Sequence, residues 1–510
     1  MGAFFKPAWL AVISLVFSGR LLGEESARAG QSSFQDVVNS FFGTVVDVVA
    51  SFLFLTPFSA IGFGLPLILI VMLFGGIYFT GYLGFVNLRM FRHSIDVVKG
   101  KFDDPDDDGE ITHFQALTSA LSATVGLGNI AGVAVAIGAG GPGAIFWMWL
   151  VAFFGMSLKF ASCTFGQAYR TVDADGHVIG GPFAYLKEGL KDLSPALAPL
   201  GTVLSLVFAW FTIFGSFGGG NLFQSNQTFE LLSGQFPVLK DYGFGVGVVI
   251  AILAGVVIMG GIKRIGEVTG KLVPAMCAFY VTTCLIIIFA NISEVPGLLS
   301  SIVTQAISPD AAFGGFMGVM IQGIKRASFS NEAGIGSAAI AHAAAKTKEP
   351  VREGTVAMIG PFIDTHLVCT MSALAILITG AHLDPTVAGK GALMTAKAFE
   401  SVGSFMPMLL TFAAVIFAYS TIISWSYYGE RATEFLFGRQ AIKVYQGLYI
   451  AVVAMGPVLS MQNVVNFSDL MILSMAFPNI IGLVILSPKL KVMAKDYYSR
   501  LKAGQLQTYK

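Results

Sequence analysis

The sequence predicts an all-α polytopic membrane protein of about 11 spans, ten of them in two five-helix sets that enter the bilayer from opposite sides. Three observations lead there. The first is composition: 55% of the 510 residues are hydrophobic and only 12% charged, with a mean hydropathy of +0.74. A soluble chain of this length carries about twice that charged fraction. The second is the sign of the charge between successive apolar runs, and the third is a pair of polar, glycine-bearing interruptions at matching places. The net charge of +1 gives no reason to expect nucleic acid as a partner. Cys163, Cys277, Cys284 and Cys369 all fall inside apolar runs, without metal-ligand spacing or a disulfide framework.

Taken in order, residues 1–29 have the form of a cleavable signal peptide. Lys6 lies in the leading region, Pro7 to Ser18 is an apolar stretch too short to span, and Ala27-Arg28-Ala29 is a small-x-small site. An interfacial N-terminal helix is the alternative. Residues 30–64 follow as an amphipathic segment, with Asp36, Asn39 and Asp47 breaking the apolar run from Phe34 to Phe54. An extra span is expected over Leu65–Leu88. Arg89, Arg92, His93, Lys99 and Lys101 come directly after it, so it runs from outside to inside by the positive-inside rule. The acidic run Asp103–Glu110 lacks the order of a calcium loop and reads as a solvated linker closing the 65–111 unit.

The first five-helix set, within residues 112–291, comprises spans near His113–Ile137, Gly143–Ala168, Leu200–Leu232, Phe244–Gly261 and Val268–Ala290. The second, within 292–488, comprises Ala311–Ala345, Gly354–Thr379, Phe405–Tyr428, Tyr445–Ser460 and Phe467–Leu486, before a cytoplasmic tail at 489–510. Alternation from a cytoplasmic start places Lys263, Arg264 and Lys271 inside. Lys346, Lys348, Arg352, Arg431, Arg439, Lys443 and Lys489 follow on the same side, as the rule requires. Gly181–Leu190 reads as an amphipathic segment on the cytoplasmic face. His382–Ser401, with Gly389 and Gly391, is either a lid over an external vestibule or an ordinary ordered loop.

Ser122-Ala123-Thr124-Val125-Gly126-Leu127-Gly128-Asn129 lies in the middle of the first span of the first set. Glycine costs roughly 1 kcal/mol relative to alanine inside a helix. Freed backbone groups are tolerated in a bilayer only where something polar meets them. Arg326-Ala327-Ser328-Phe329-Ser330-Asn331-Glu332-Ala333-Gly334-Ile335-Gly336-Ser337 interrupts the first span of the second set. Matched breaks in two inverted halves are the sequence mark of a transport site at the midplane. Glycine-mediated helix packing is the competing account of either stretch taken alone.

Thr124–Gly132, Arg326–Ser337 and Ala341-His342-Ala343-Ala344-Ala345 resemble the signatures of the alanine or glycine:cation symporter family, from about His113 to the C-terminus. The resemblance implies the leucine-transporter-like 5+5 inverted repeat and sodium-coupled uptake of small neutral amino acids, alanine and glycine foremost. It implies a transporter and not an enzyme, with sodium as coupling ion, no organic cofactor, and the lipid bilayer of the cell membrane as its setting (a bacterial inner membrane if the signal-like segment is used).

A zwitterion needs N–H donors for its carboxylate and carbonyls for its ammonium. Gly126, Leu127 and Gly128 are the candidates for the first role, aided by a half-helix dipole, and the Asn129 amide can serve substrate or ion. Phe329, Ser330 and Asn331 are candidates at the second break. Phe217, before Gly218-Gly219-Gly220-Asn221, and Trp425 are the expected walls of the pocket. By family analogy the sodium ligands are Ser420 and Thr421, with backbone oxygens of Ser122, Val125 and Phe417. A hydroxyl bonded only to its own helix is the bland alternative. Among buried charges, Arg326 is expected to pair with Glu332 or Asp364, bracing the break or gating it. Asp364, His366 and Glu332 keep proton coupling open as a rival, and an ion channel is the more distant one. No metalloprotease or nucleophile-elbow motif lies in the spans to favour a membrane enzyme.

Overall fold

A computed structural model describes residues 50, 53–59, 64–307, 315–387 and 389–509. The signal-like segment and nearly all of Phe34–Phe54 lie outside the described residues. Helix α1 (Leu67–Tyr82), where the extra N-terminal span was expected, is an apolar helix of 16 residues. The first core span is divided into α2 (His113–Thr124) and α3 (Val133–Gly140), joined through a π-helical turn at Gly128–Gly132. The α2 N-terminus is closed by a capping box, Thr112 accepting from the Gln115 N–H while Gln115 accepts from the Thr112 N–H. The two arms meet at 51°.

Helix α4 (Gly143–Ala168) is followed by a β1–β2 hairpin, Thr171–Val172 with Val178–Ile179. The amphipathic segment then forms a run of short helices over 182–193, burying Phe183, Tyr185, Leu186 and Leu190 while Lys187 and Glu188 stay exposed. Helices α5 (Ala198–Phe217) and α6 (Phe223–Gln235) share one span across a π turn at Gly218–Leu222. Next come α7 (Gly243–Ile258) and α8 (Gly261–Ala290). Helix α9 (Val295–Ile307) precedes the second set, which begins with α10 (Gly315–Asn331) and α11 (Ala338–His342). Helices α12 (Pro350–Ala357) and α13 (Thr370–Ile378) lie in one span, and α14 (Ala392–Glu400) follows. The chain closes with α15 (Met406–Phe437), α16 (Ile442–Met455), α17 (Met461–Ser474) and α18 (Ala476–Lys502).

Among the described residues, eight helices are long and apolar enough to span, nine if the bent α2–α3 pair is included. The sets are inverted in space. His113, at the start of the first broken span, bonds Glu353, which also holds His342 at the end of the second broken span. One span therefore begins at the end of the bundle where its counterpart finishes. Helices α10 and α12 pack along α4, α5 along α15, and α7 along α16, while α2 is held between α8 and α15. Burial follows this order: 67% of the α15 span window is buried, against 33% for α7, so α15 is central and α7 faces lipid.

Three boundaries differ from the sequence expectation. Helix α15 runs on to Phe437 because Arg431 and Glu434 pair at 2.7 Å across one turn and satisfy charge beyond the apolar run. The expected tail at 489–510 is largely α18 continuing to Lys502, held by Arg500 Nη1 on Glu349 Oε1 at 2.6 Å. Residues 295–307 form a separate helix, so the second set starts later than residue 292.

Candidate substrate and cation site

The first break is an architecture of satisfied backbone groups. Helix α2 stops at Val125, and the Gly126 N–H donates to the Asn129 side-chain oxygen at 3.0 Å. The Leu127 N–H donates to Gln224 Oε1 of α6 at 3.2 Å. Two amide oxygens thus meet the N–H groups that the break exposes. Gly126 is needed here for space: a Cβ would collide with Thr421 Oγ1.

Asn129 joins the two breaks. Its Nδ2 donates to Asp364 Oδ2 at 2.8 Å and to Ser330 Oγ at 3.2 Å. Ser330 in turn donates to Asp364 Oδ1 at 2.5 Å, as does Thr365 at 2.8 Å. Asn331 ties the second break to the same segment, its amide donating to Thr365 Oγ1 at 3.0 Å and its oxygen accepting from the Ala333 N–H at 2.9 Å. Glu332 sits at φ 54, a left-handed conformation uncommon outside glycine. This turns its carboxylate toward Ser337, which donates to it, and toward Trp425 Nε1 at 3.0 Å. Trp425 also lies 3.3 Å from the Ala123 carbonyl, so one indole bridges the two breaks.

Four of the five residues expected to hold the cation, Ser122, Phe417, Ser420 and Thr421, lie together. Thr421 Oγ1 is 2.9 Å from the Ser122 carbonyl and 3.1 Å from the Phe417 carbonyl. Ser420 Oγ is 2.9 Å from Phe417 O, and the Ser122 hydroxyl donates to Ser420 O at 2.7 Å. Thr421 therefore reaches the first break with its side chain, while Ser420 reaches it through its carbonyl and turns its hydroxyl toward Met276 Sδ at 3.6 Å. Val125 is the C-cap of α2, with ψ 81 taking its carbonyl out of the helical direction. The donors are carbonyls and hydroxyls, a set that suits a hard cation.

Two expectations are corrected. Phe217 does not form the opposing wall. It packs on Tyr445 and Tyr449 of α16, because the π turn after it rotates the rest of the span. The aromatic that meets Phe329 is Phe223, 5.1 Å away edge to face, with Phe329 also lying beside Gly128. Arg326 pairs with neither Glu332 nor Asp364. It lies on the helical part of α10 and meets Asp469 of α17, together with Lys325 at 2.9 Å, whereas Glu332 is turned away by the break.

Gln224, Phe223 and Thr365 were absent from the sequence expectation, and Asp364 appeared there only as a charge. The polar run Gln224-Ser225-Asn226-Gln227-Thr228 inside a span is the signal that marks Gln224, because such residues face the protein interior. His366 stacks on Phe362 at the half-buried edge of the segment, away from the Asp364 cluster. Lys159 of α4 is buried. The 382–401 stretch, read as either an external lid or an ordered loop, contains α14, whose Thr395 donates to the Ile130 carbonyl at 3.1 Å just beyond the first break.

Residues 26–510 match the sodium:alanine symporter family. The chain belongs to that family. The sodium/alanine symporter AgcS of Methanococcus maripaludis is 42% identical over 424 residues, covering 83% of this chain and 92% of that one. The probable sodium/glutamine symporter GlnT of Bacillus subtilis is 34% identical over 446 residues, covering 86% and 89%. Among solved structures, MhsT in complex with L-phenylalanine aligns at 15% identity and a TM-score of 0.49, over 76% of this chain and 99% of that one. This symporter-family chain is a transporter and not an enzyme, a multi-pass protein of the cell membrane that moves an amino acid with a cation.

Proposed function

We propose that this symporter takes up alanine and glycine with sodium by alternating access, and that the paired breaks are the common site of substrate and ion. The observation that carries the reading is the pair of backbone N–H groups at Gly126 and Leu127, each met by a side-chain amide oxygen. A substrate carboxylate replaces those oxygens one for one, at the favourable end of a half-helix. The ammonium is taken by oxygens at the second break around Ser330 and Asn331. Phe329 and Trp425, both buried, are the walls that would limit the side chain to a small one. Sodium is held by Thr421, Ser420 and the carbonyls of Ser122, Val125 and Phe417. It supplies electrostatic coupling between the first broken span and α15, which the hydroxyl–carbonyl bonds already draw together. The name of the 42%-identical relative supports alanine and sodium, while the 34%-identical glutamine relative makes side-chain size the variable to test.

The test is counterflow of labelled alanine in proteoliposomes at fixed pH, with sodium replaced by potassium. Exchange should vanish without sodium, and unlabelled glycine should compete while glutamine does not. Uptake that persists in potassium and follows a pH gradient would overturn the sodium assignment in favour of proton coupling through Asp364 or Glu332.

A further inference from the structure

Away from the paired breaks, a cavity of about 390 Å³ opens at the cation-rich end of the bundle, between the foot of α1 and the flank of α18. Tyr82, Arg89, Lys491, Lys495 and Tyr498 line its mouth, and Phe160 of α4 lies at its back. Lys491 and Lys495 stand four apart on one helix and therefore share a face. Arg89 comes from the opposite wall, carried there by the chain reversal after α1, where Phe85 takes φ 55.

Two of the three cations rest on rings. Lys491 Nζ is 4.3 Å from the centre of the Tyr82 ring, and Arg89 Cζ is 4.3 Å from that of Tyr498. Among the described residues, none of the three forms an ion pair with a carboxylate. Nearby acids are engaged elsewhere: Asp96 with Lys101, Asp192 with Lys489, Asp496 with Arg500. Above the cavity α1 exposes Phe74 and Ile77, and beside it Phe85, Leu88 and Val492 are exposed. The cavity is thus cationic at its mouth with apolar side chains exposed beside it, at the level where a positive-inside membrane protein meets the cytoplasmic headgroups.

We propose that this cavity binds the phosphate of an anionic phospholipid of the cytoplasmic leaflet, with the acyl chains lying along the exposed face of α1. A free phosphate would satisfy the cations but leave the exposed apolar side chains without a partner.

Native mass spectrometry of the purified full chain, titrated with phosphatidylglycerol or with phosphatidylcholine, tests the proposal. Each cation near a headgroup is worth about fivefold in affinity. Lys491→Gln with Lys495→Gln should therefore weaken phosphatidylglycerol binding about 25-fold and leave phosphatidylcholine adducts unchanged. Lys263→Gln with Lys271→Gln, exposed cations on α8, should leave both unchanged. Arg89→Gln reads the same site from the other wall, with an expected loss of about fivefold, and serves if the double variant does not fold. Equal phosphatidylglycerol affinity in site and control variants overturns the proposal. So does complete competition by inorganic phosphate at the concentration of the lipid, which would make the ligand a free anion.

Discussion

Asn129 carries more of the site than any other single side chain. It caps the first break through its oxygen and reaches Ser330 and Asp364 through its nitrogen. A hydrogen bond to a buried carboxylate is worth about 1.5–3 kcal/mol. Asn129→Ala should therefore raise the half-saturating alanine concentration about 10- to 100-fold, read in proteoliposome uptake at saturating sodium. In the proposed site Thr421 belongs to the ion and not to the substrate. Thr421→Ala should raise the half-saturating sodium concentration about tenfold with a smaller effect on alanine, and Thr421→Ser should restore sodium dependence because the hydroxyl is kept. Wild-type kinetics in both Asn129→Ala and Thr421→Ala would remove these ligands from the site.

The second broken span shows how an element is held open. Its helical arm is anchored by Arg326 and Lys325 on Asp469 of α17, and its break by Glu332 between Ser337 and Trp425. Arg326→Gln leaves Asp469 with Lys325 alone, deep in the bundle. Breaking a buried pair costs about 3–5 kcal/mol when no partner remains, and Lys325 puts the expected loss at the lower end. Thermal unfolding in detergent should show that loss, and Arg326→Met combined with Lys325→Met and Asp469→Leu, which removes all three charges, should recover most of it. Recovery matters, because it separates a structural brace from a residue that transport itself needs.

The short helix Phe91–Val98, below α1, gives a second measurement at this scale. His93 is buried against Phe102 and bonded to Tyr497 at 2.8 Å. Burial, and next the nearby Arg352 guanidinium, push its pKa down to about 4. The folded protein therefore holds fewer protons here than the unfolded chain between about pH 4 and pH 6.5. Stability should be retained above that window and fall by about 2–3 kcal/mol as pH drops through it. The melting temperature of His93→Gln should lose this part of the acid dependence, and an unchanged pH profile would show that His93 is not the group responsible.

For the whole molecule, inward movement of one sodium with a zwitterion carries one net charge. At about 100 mV that supplies about 2.3 kcal/mol, or roughly 50-fold accumulation, before any sodium gradient is counted. Uptake into proteoliposomes should thus rise when a potassium diffusion potential makes the interior negative and fall when it is collapsed. Insensitivity to the potential would mean that the charge of sodium is compensated by counter-movement of another ion.

The membrane class, the opposed directions of the two broken spans and the positions of both breaks were legible in the sequence. Each rests on short-range physics: apolar length, loop charge, and the refusal of Gly126, Gly128 and the Asn331–Gly336 stretch to continue a helix in lipid. The burial of Asn129, Ser330, Asn331, Thr421 and Trp425 was legible for the same reason, as polar or amphipathic groups placed where lipid would reject them. The partners were not. Arg326 meets Asp469 because the handedness of α10 presents it to α17, and Glu332 escapes it because one left-handed residue redirects the chain. Phe223 takes the place expected of Phe217 because an extra residue in a π turn rotates everything after it. Gln224 reaches Leu127 across nearly one hundred positions of sequence. Composition and periodicity decide which residues lie inside the membrane, whereas only tertiary structure decides which of them face one another, since that depends on helix phase summed over every turn and break between them.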